Sequence, residues 1–515
     1  MFDFEKHLIS ISLIVLLLIT ACDEKDDIFN DNSNTNPEPP SALDSTLREI
    51  INKNGLTGDA AAGRNLPSIE DPLAQLGKQL YFTKALGGVQ DAACVSCHHP
   101  VLGGGDNLSL SVGVDAVDEI GSPAPDLLGL GRYHKLVVNV EPQEFLPAVG
   151  RNAPSTFNLG LWDSSMLWDS RIESADPVIG ANGENVGIIT PDTRPDANVN
   201  LPSDFNLVAT QALFPVLSAA VMRKDFLSEA PGEEVRKALA QRLSTQGSWV
   251  DAFVVVFGDT EINYERIARA IGAYERSQVF INSPWKAYVE GQTDALTEDQ
   301  KQGALLFFTS VSEGGAGCNT CHSGDFFTNE EDAVAAFPQL RDDRGRGGIS
   351  GDTAEDYSFR TPTLLNIAVT GPYGHSGTYA TLEEVVRHYM NPRGNIETLF
   401  GAVNGVQFVE AAGLCNLPQF SLLEAATGTA CEDWYPDAYS ISITALEAFE
   451  TNPSFDSPQL SDVQVRQLVA FLEALTDSCV TDRECLDPWI IDEDDLESFP
   501  DNQALIAVDI EGNAL

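Results

Sequence analysis

The pattern Cys-x-x-Cys-His occurs twice in this chain of 515 residues, at Cys94-Val95-Ser96-Cys97-His98 and at Cys318-Asn319-Thr320-Cys321-His322. It is the attachment signature of a c-type haem, in which two thiols form thioether links to the porphyrin and the adjacent histidine binds the iron. A Cys-x-x-Cys pair alone also serves zinc and thiol chemistry, so one isolated copy would leave those alternatives open. Two copies predict two covalently bound haem c groups, with His98 and His322 as iron ligands.

A second repeat precedes each of these motifs. Gly77-Lys78-Gln79-Leu80-Tyr81-Phe82-Thr83 comes before the first, and Gly303-Ala304-Leu305-Leu306-Phe307-Phe308-Thr309 comes before the second. Both segments follow the pattern Gly-x-x-Leu-aromatic-Phe-Thr, which indicates an internal duplication. Each fits an amphipathic helix that leads into a haem loop, so the sequence predicts two related haem domains.

Helical periodicity is the main secondary-structure signal elsewhere, and strand signals are sparse. Apolar residues recur at helical spacing in the segments 233–245, 264–279, 297–308, 381–389 and 461–475. We therefore predict a mainly α fold, with two cytochrome c-like haem domains, many loops and few short strands.

Charge narrows the range of partners. The chain has 30 Lys and Arg against 77 Asp and Glu, a formal charge of −47. Such a surface repels nucleic acid and anionic membranes, and it attracts a basic partner such as a small cationic cytochrome. A soluble protein with a generally acidic surface and no such partner would show the same composition.

The amino terminus predicts export. Residues 8–20 are apolar, too short to span a bilayer, and run into Ile19-Thr20-Ala21-Cys22, which resembles a bacterial lipobox. We interpret 1–22 as a lipoprotein signal peptide with the lipid anchor at Cys22. The protein is then expected in the cell envelope, in the periplasm or on the outer membrane or cell surface. Residues 23–66 follow as an acidic tether, predicted to be disordered over 23–45.

Four cysteines remain outside the lipobox and the haem motifs, namely Cys415, Cys431, Cys479 and Cys485. In an oxidising compartment they can form two disulfides in three connectivities. The short-loop pairing, Cys415 with Cys431 and Cys479 with Cys485, is the one we expect.

Further motifs resemble the bacterial dihaem cytochrome c peroxidases and their relative MauG, which oxidises tryptophans of a partner protein. They are Gly150-Arg151-Asn152-Ala153-Pro154, Leu167-Trp168-Asp169-Ser170-Arg171, Ala273-Tyr274-Glu275-Arg276, Phe359-Arg360-Thr361-Pro362-Thr363-Leu364-Leu365-Asn366 and Gly371-Pro372-Tyr373-Gly374-His375-Ser376-Gly377. The resemblance runs from about Pro67 to Asp477. It implies an N-terminal haem domain over 67–290, where hydrogen peroxide reacts, and a C-terminal electron-transfer haem domain over 291–480. An acidic tail, 481–515, follows.

The resemblance also implies roles for single residues. Trp168 matches the tryptophan between the haems, although simple core packing would also explain it. Gln211 matches a glutamine of the distal peroxide pocket. Tyr389 matches the second axial ligand of the C-terminal haem, where the peroxidases have Met and MauG has Tyr. A phenolate stabilises ferric iron and lowers the reduction potential.

The family holds a calcium ion between its two domains. By the resemblance, Asn152 supplies a side-chain ligand, and Thr370 and Pro372 supply backbone carbonyl ligands. Hard oxygen donors of this kind suit Ca²⁺. The expected cofactors are therefore two haem c groups and, with them, a calcium ion.

Two departures from the family concern the first haem. The distal His of many peroxidases, just before Arg151, is missing, so either His134 reaches in from a longer loop or the site is open, as in MauG. Ten residues after Gln211 stands Val221, where the family has Glu. Valine cannot move a proton between the two peroxide oxygens, so another acid, near Glu173 or Asp176, must substitute or peroxide chemistry is slow.

These observations together imply a dihaem c-type oxidoreductase. Its expected partners are hydrogen peroxide and either an electron-donor protein, a small cytochrome or cupredoxin, or a protein substrate oxidised in the MauG manner. A homodimer is one option for its assembly. The alternative is an electron-transfer or redox-sensing dihaem cytochrome that lacks efficient peroxidase activity because of Val221.

Overall fold

The structure of the protein is a computed structural model that describes residues 41–119, 121–135, 149–191, 201–402 and 413–515. The predicted signal peptide and the anchor at Cys22 lie outside these ranges. Among the described residues, no helix is long and apolar enough to cross a bilayer.

Helices dominate the described chain, as the sequence predicted. In chain order they are α1 (Ala42–Asn54), α2 (Pro72–Phe82), α3 (Leu207–Gln211), α4 (Gly232–Ser244), α5 (Gly247–Phe257), α6 (Tyr264–Arg276), α7 (Pro284–Val289), α8 (Glu298–Phe308), α9 (Gly345–Ser350), α10 (Leu382–Met390), α11 (Pro392–Leu399), α12 (Pro418–Thr427), α13 (Ala438–Thr451), α14 (Asp462–Glu473) and α15 (Arg483–Leu486). The five segments with helical periodicity are confirmed as α4, α6, α8, α10 and α14. Their ends shift by a few residues, as is usual where helices fray.

Strands are short and form three small antiparallel sheets. They are β1 (Ala116–Val117) with β2 (Tyr133–His134), β3 (Ser165–Met166) with β4 (Ile172–Ser174) and β5 (Ile188–Ile189), and β6 (Asp332–Ala333) with β7 (Phe359–Arg360). Ala116 lies opposite His134, and Asp332 lies opposite Arg360. The second sheet flanks Trp168 along the chain, and the third sheet reaches it through a hydrogen bond from the backbone N–H of Arg360 to the carbonyl of Trp168.

The repeated glycine of the duplicated motif is explained by helix crossing. In the first haem domain α2 crosses α6, and a Cβ on Gly77 would lie 1.9 Å from the carbonyl oxygen of Ala270. In the second domain α8 crosses α14, and a Cβ on Gly303 would lie 1.9 Å from the carbonyl oxygen of Gln467. Only glycine allows backbones to approach this closely. The duplication therefore preserves one helix-packing solution in two places.

Each haem domain has its own hydrophobic core. Along the chain, Phe280 belongs to the first core and Ile281 to the second. The exceptions are Leu47, Ile51, Leu56 and Leu161, which enter the second core, and the residues from Val480 onward, which return to the first. This change supports a boundary near residue 290, which we propose as the division between the two domains.

The start of the described chain is folded, which corrects the prediction of disorder up to residue 45. Ser41 caps α1 by accepting a hydrogen bond of 3.1 Å from the backbone N–H of Asp44. Leu47 and Ile51, one helical turn apart, are buried in the second core. The acidic composition of this region concealed an amphipathic helix.

The predicted acidic tail, 481–515, lies on the first haem domain, and we call it the C-terminal strap. Ile490, Phe499 and Leu505 belong to the first core. The backbone N–H of Leu505 donates to the carbonyl of Phe82 at 2.9 Å. Apolar residues between the carboxylates therefore fasten the strap.

Both predicted disulfides are confirmed, with Cα atoms 5.5 Å apart for Cys415–Cys431 and 5.2 Å apart for Cys479–Cys485. The first lies in a helical lobe, residues 413–455. Gln419 joins this lobe to the first domain through two hydrogen bonds with the backbone of Leu110. The disulfide-closed lobe thus packs into a third hydrophobic core that it shares with Leu110 and Tyr133 and with Ile396 and Phe400.

Candidate functional site

The first Cys-x-x-Cys-His motif forms a tight turn, 94–96, directly after the buried Ala93. Its two thiols are free of disulfides, and burial raises the pKa of Cys97 to about 12. His98 donates its Nδ1–H to the carbonyl of Gly104 at 3.1 Å, and burial lowers its pKa. The imidazole is therefore neutral and oriented, with Nε2 left for an iron, which is the form a haem ligand needs.

The second motif repeats this arrangement. Residues 318–320 form the same kind of turn, and the Nδ1–H of His322 faces the carbonyls of Phe327 at 3.2 Å and Pro362 at 3.1 Å. Burial lowers the pKa of His322 to about 4. The structure therefore gives both predicted histidines the same tautomer and the same neutral state.

A cavity of about 590 Å³ lies beside the second motif, and we call it the second-haem cavity. Its volume is in the range that cofactor sites occupy. It is lined by residues from both domains, including Cys318, Cys321, His322, Tyr389, Trp168, Asn152, Thr370 and Pro372. Two free thiols, a neutral imidazole and a phenol around one apolar cavity are a donor set that fits a haem c.

Tyr389 rather than Met390 lines this cavity. The side chain is half-buried, and desolvation together with the thiols of Cys318 and Cys321 raises its pKa. Met390 packs instead against the second hydrophobic core. Neighbouring helical residues point about 100° apart, which explains why only one of the two reaches the cavity.

Trp168 is held by two hydrogen bonds, one made by its side chain and one by its backbone carbonyl. Its indole Nε1–H donates to the carbonyl of Asn152 at 2.9 Å, and its own carbonyl accepts from the backbone N–H of Arg360 at 2.9 Å. Its neighbours Leu167 and Ser170 have φ of 71° and 52°, in the left-handed region. The sequence before and after the indole therefore makes a fixed turn that presents it to the cavity.

An ion-pair network fixes the same wall. Arg151 donates to Asp169 at 2.6 Å and to Asp343 at 2.6 and 2.7 Å. Burial raises the pKa of Asp169, but Arg151 and Arg171 outweigh it and hold that pKa below its ordinary value. The ion pair between Arg151 and Asp169 thereby joins two of the sequence motifs, the one around Arg151 and the one around Trp168.

Two of the predicted calcium ligands, Asn152 and Pro372, are in contact at this wall, and Thr370 lines the same cavity. The side-chain amide of Asn152 lies 2.8 Å from the carbonyl oxygen of Leu108 and 3.2 Å from that of Pro372. The oxygen and nitrogen of an amide are assigned from such contacts, and turning the amide would bring its oxygen to the same place. Neutral oxygens therefore converge at Asn152, which fits a calcium site without a carboxylate.

The residues predicted for the distal pocket of the first haem lie on several separate elements. Gln211 ends α3, and Val221 lies in a turn, 219–223, where it packs against the first core. Glu173 is engaged by Arg346 at 2.9 Å. His134 is buried in β2, where Asp115 and Lys224 are among its charged neighbours.

Two buried acids near the first motif were missed. Burial raises the pKa of Glu275 to about 8 and that of Asp106 to about 7. Glu275 acts electrostatically on Cys94, and Asp106 acts on Cys97. Glu275 belongs to the motif Ala273-Tyr274-Glu275-Arg276. Its burial arises from the crossing of α2 and α6, which the spacing of residues in the sequence does not reveal.

Comparison with known proteins is consistent with this geometry. The model of the di-haem cytochrome c peroxidase family matches residues 71–294. A MauG of Methylophilus methylotrophus is 24% identical over 326 residues, which cover 63% of this chain and 74% of the relative. A cytochrome c551 peroxidase of Pseudomonas aeruginosa is 24% identical over 329 residues, covering 62% and 71%.

Solved structures with a similar fold include a MauG-like protein associated with microbial copper homeostasis, at 20% identity and a TM-score of 0.50, covering 83% of this chain and 97% of that one. The diheme peroxidase BthA of Burkholderia thailandensis is 19% identical, also with a TM-score of 0.50, covering 82% and 90%. At these identities the similarity shows the fold alone.

Proposed function

Because the chain belongs to the dihaem cytochrome c peroxidase and MauG family, we propose that it reduces hydrogen peroxide at the first haem and moves electrons through the second. Cys94, Cys97 and His98 would hold the first haem, and Cys318, Cys321, His322 and Tyr389 the second. When bound, the two irons supply the peroxide-reacting centre and the electron store.

One observation supports this proposal most directly. The second-haem cavity has His322 and Tyr389 among its lining residues, and Trp168 in the same wall. The indole of Trp168 donates a hydrogen bond to the carbonyl of Asn152, whose neighbour Arg151 is paired with Asp169. An oxidisable side chain held so firmly at the cavity suits an electron relay between the two domains.

Tyr389 favours a MauG-like mode, in which a protein side chain or an organic molecule is oxidised. A phenolate ligand stabilises the ferric state, so the second haem is a weak electron acceptor compared with a His/Met haem. We propose an open first site, since His134 is held in β2 beside β1. Gln211 is the polar group that we assign to bound peroxide.

The alternative function, an electron-transfer or redox-sensing cytochrome, is favoured by Val221. Its side chain packs against an apolar core, and Glu173, one of the two substitutes suggested by sequence, pairs with Arg346. Proton transfer during O–O cleavage then lacks a dedicated acid. Val221→Glu tests this: peroxide turnover rises if only the acid is missing, and an unchanged rate counts against the placing of Val221 in the distal pocket. Peroxide turnover by the wild-type protein distinguishes the two functions.

Calcium, location and partners complete the proposal. Asn152, Thr370 and Pro372 would bind Ca²⁺ through oxygen atoms. We propose export and anchoring through Cys22, which place the protein in the cell envelope. The formal charge of −47 favours a basic electron-donor protein or protein substrate.

Haem attachment is tested by intact-mass spectrometry of protein matured in a c-type cytochrome host. The expected mass includes two haems, and Cys97→Ser and Cys321→Ser should each weaken attachment of one haem. Cys479→Ser is the matched control, since Cys479 is paired with Cys485. A wild-type mass without haem contradicts the proposal.

A further inference from the structure

Trp489, in the C-terminal strap, is tied to the first haem domain by two hydrogen bonds. Its indole Nε1–H donates to the hydroxyl of Ser277 at 3.0 Å, and its carbonyl accepts from the hydroxyl of Tyr274 at 2.8 Å. The side chain is only partly buried. An oxidisable residue therefore sits at the surface, with its backbone carbonyl hydrogen-bonded to a buried tyrosine.

From Tyr274 the contacts continue inward to the first haem motif. The rings of Tyr274 and Tyr81 lie 4.8 Å apart, and both side chains are essentially fully buried. The hydroxyl of Tyr81 donates to the carbonyl of His98 at 3.3 Å. His98, Tyr81, Tyr274 and Trp489 thus form a continuous series of contacts from the haem ligand to the surface.

A second series of rings reaches Trp489 from the second-haem cavity. Phe157 lines that cavity and lies 4.8 Å from Phe280, which lies 5.1 Å from Trp489. The phenyl rings are not oxidised readily, but they fill the space with close-packed aromatic contacts. Trp489 is therefore the point at which contacts from both haem sites meet.

A proton acceptor lies beside the two tyrosines. Glu275 is 4% exposed, its Oε2 has no hydrogen-bond partner within the described protein, and its charge acts on both Tyr81 and Tyr274. A phenol that loses an electron also loses its proton. The two hydroxyls donate to backbone carbonyls, and we take the ionised carboxylate of Glu275, whose charge acts on both phenols, as the acceptor of that proton.

We propose that Trp489 is a surface oxidation site, connected to the first haem through Tyr81 and Tyr274. This inference rests on the proposed function, because hydrogen peroxide is the oxidant. Tyr81 gives an electron inward and its proton to Glu275. The electron that replaces it comes from Trp489 by way of Tyr274, Glu275 returns the proton to Tyr81, and Trp489 is left as a one-electron-oxidised indole. An external donor reduces the indole. Two such passages, with two protons from solvent, convert one hydrogen peroxide into two waters.

The surface around Trp489 selects the charge of that donor. The flanking chain carries many carboxylates, and the nearby cation, Arg483, is paired with Asp487 and Asp492. The acidic residues that surround the ring in sequence are Glu484, Asp487, Asp492, Glu493, Asp494 and Asp495. A positively charged one-electron donor is attracted here and an anionic one is repelled.

The test uses the haem-loaded full chain, assayed above the pKa of Glu275. Hydrogen peroxide consumption is measured with hexaammineruthenium(II), a cationic donor, and with ferrocyanide, an anionic one. Peptide mass spectrometry locates oxidised residues after peroxide is added without a donor. The variants are Trp489→Phe and Tyr274→Phe, and the matched control is Trp434→Phe, in the buried core of the 413–455 lobe.

In wild type we expect oxidation of the Trp489 indole and faster turnover with the cationic donor. Trp489→Phe and Tyr274→Phe should lose that preference, and Tyr274→Phe should leave Trp489 unoxidised. Trp434→Phe should behave as wild type. If wild type consumes peroxide but Trp489→Phe keeps the preference for the cationic donor, the relay is wrong and the proposed function stands. If wild type consumes no peroxide, both are overturned.

Discussion

The indole Nε1 of Trp168 donates a hydrogen bond of 2.9 Å to the carbonyl oxygen of Asn152. Asn152 in turn donates its backbone N–H to the carbonyl of His375 at 2.8 Å. Three motifs far apart in the sequence are joined at one wall of the second-haem cavity. The position of the indole is therefore set by backbone atoms, which side-chain changes elsewhere do not easily disturb.

Replacing Trp168 should interrupt electron movement between the domains. Trp168→Phe keeps an aromatic ring but removes the oxidisable indole and its hydrogen bond. We expect the electron-transfer rate between the haems to fall about tenfold or more, equivalent to about 1.4 kcal/mol in the barrier. Stopped-flow spectroscopy of half-reduced protein measures this rate. A rate equal to that of Trp434→Phe would show that Trp168 is only a packing residue.

Tyr389 controls the potential of the second haem. Tyr389→Met exchanges an anionic donor for a thioether, so the reduction potential should rise by about 0.1 V or more. A spectroelectrochemical titration measures it. Met390→Leu is the control, because Met390 packs against the core. A potential that is unchanged in Tyr389→Met would exclude Tyr389 as an iron ligand.

The glycine of the repeat is predicted to be essential for stability. A Cβ at Gly303 would lie 1.9 Å from the backbone of α14, so Gly303→Ala forces the two helices apart. We expect the free energy of unfolding to fall by about 1–3 kcal/mol or more, measured by denaturant titration. Gly247→Ala has open space around its Cβ and should be nearly neutral. If Gly303→Ala and Gly247→Ala lowered the free energy of unfolding equally, the close crossing of α8 and α14 would be refuted.

Glu275 should make stability fall as the pH rises. Burial raises its pKa from 4.5 to about 8 in the folded protein, so the folded state binds more protons than the unfolded state between those values. Its contribution is present below pH 4.5 and is lost toward pH 8, by at most about 1.4 kcal/mol per pH unit. Glu275→Gln stays neutral, so its unfolding free energy should exceed that of wild type increasingly across this range. If the unfolding free energies of wild type and Glu275→Gln change with pH in parallel, the prediction is contradicted.

Features that are encoded by spacing within a short stretch of sequence could be predicted. Features that depend on contacts between distant parts of the chain could not. The duplicated glycine helices were predicted because their spacing repeats, and the two disulfides because short loops favour one of the three possible pairings. The helix at Ala42–Asn54 was missed because regional composition outweighed the Ser41 cap and the spacing of Leu47 and Ile51. The buried state of Glu275 depends on which helix crosses α6, a contact made far away in the chain.

The central claim, peroxide reduction at an open first haem, is tested most directly by titrating the haem-loaded protein with hydrogen peroxide. Optical absorption and electron paramagnetic resonance are recorded together. We predict that a high-spin ferric signal from the first haem disappears when hydrogen peroxide is added and returns when an electron donor is added. Two low-spin ferric haems that remain unchanged in excess peroxide would contradict the claim and identify the protein as an electron carrier or sensor.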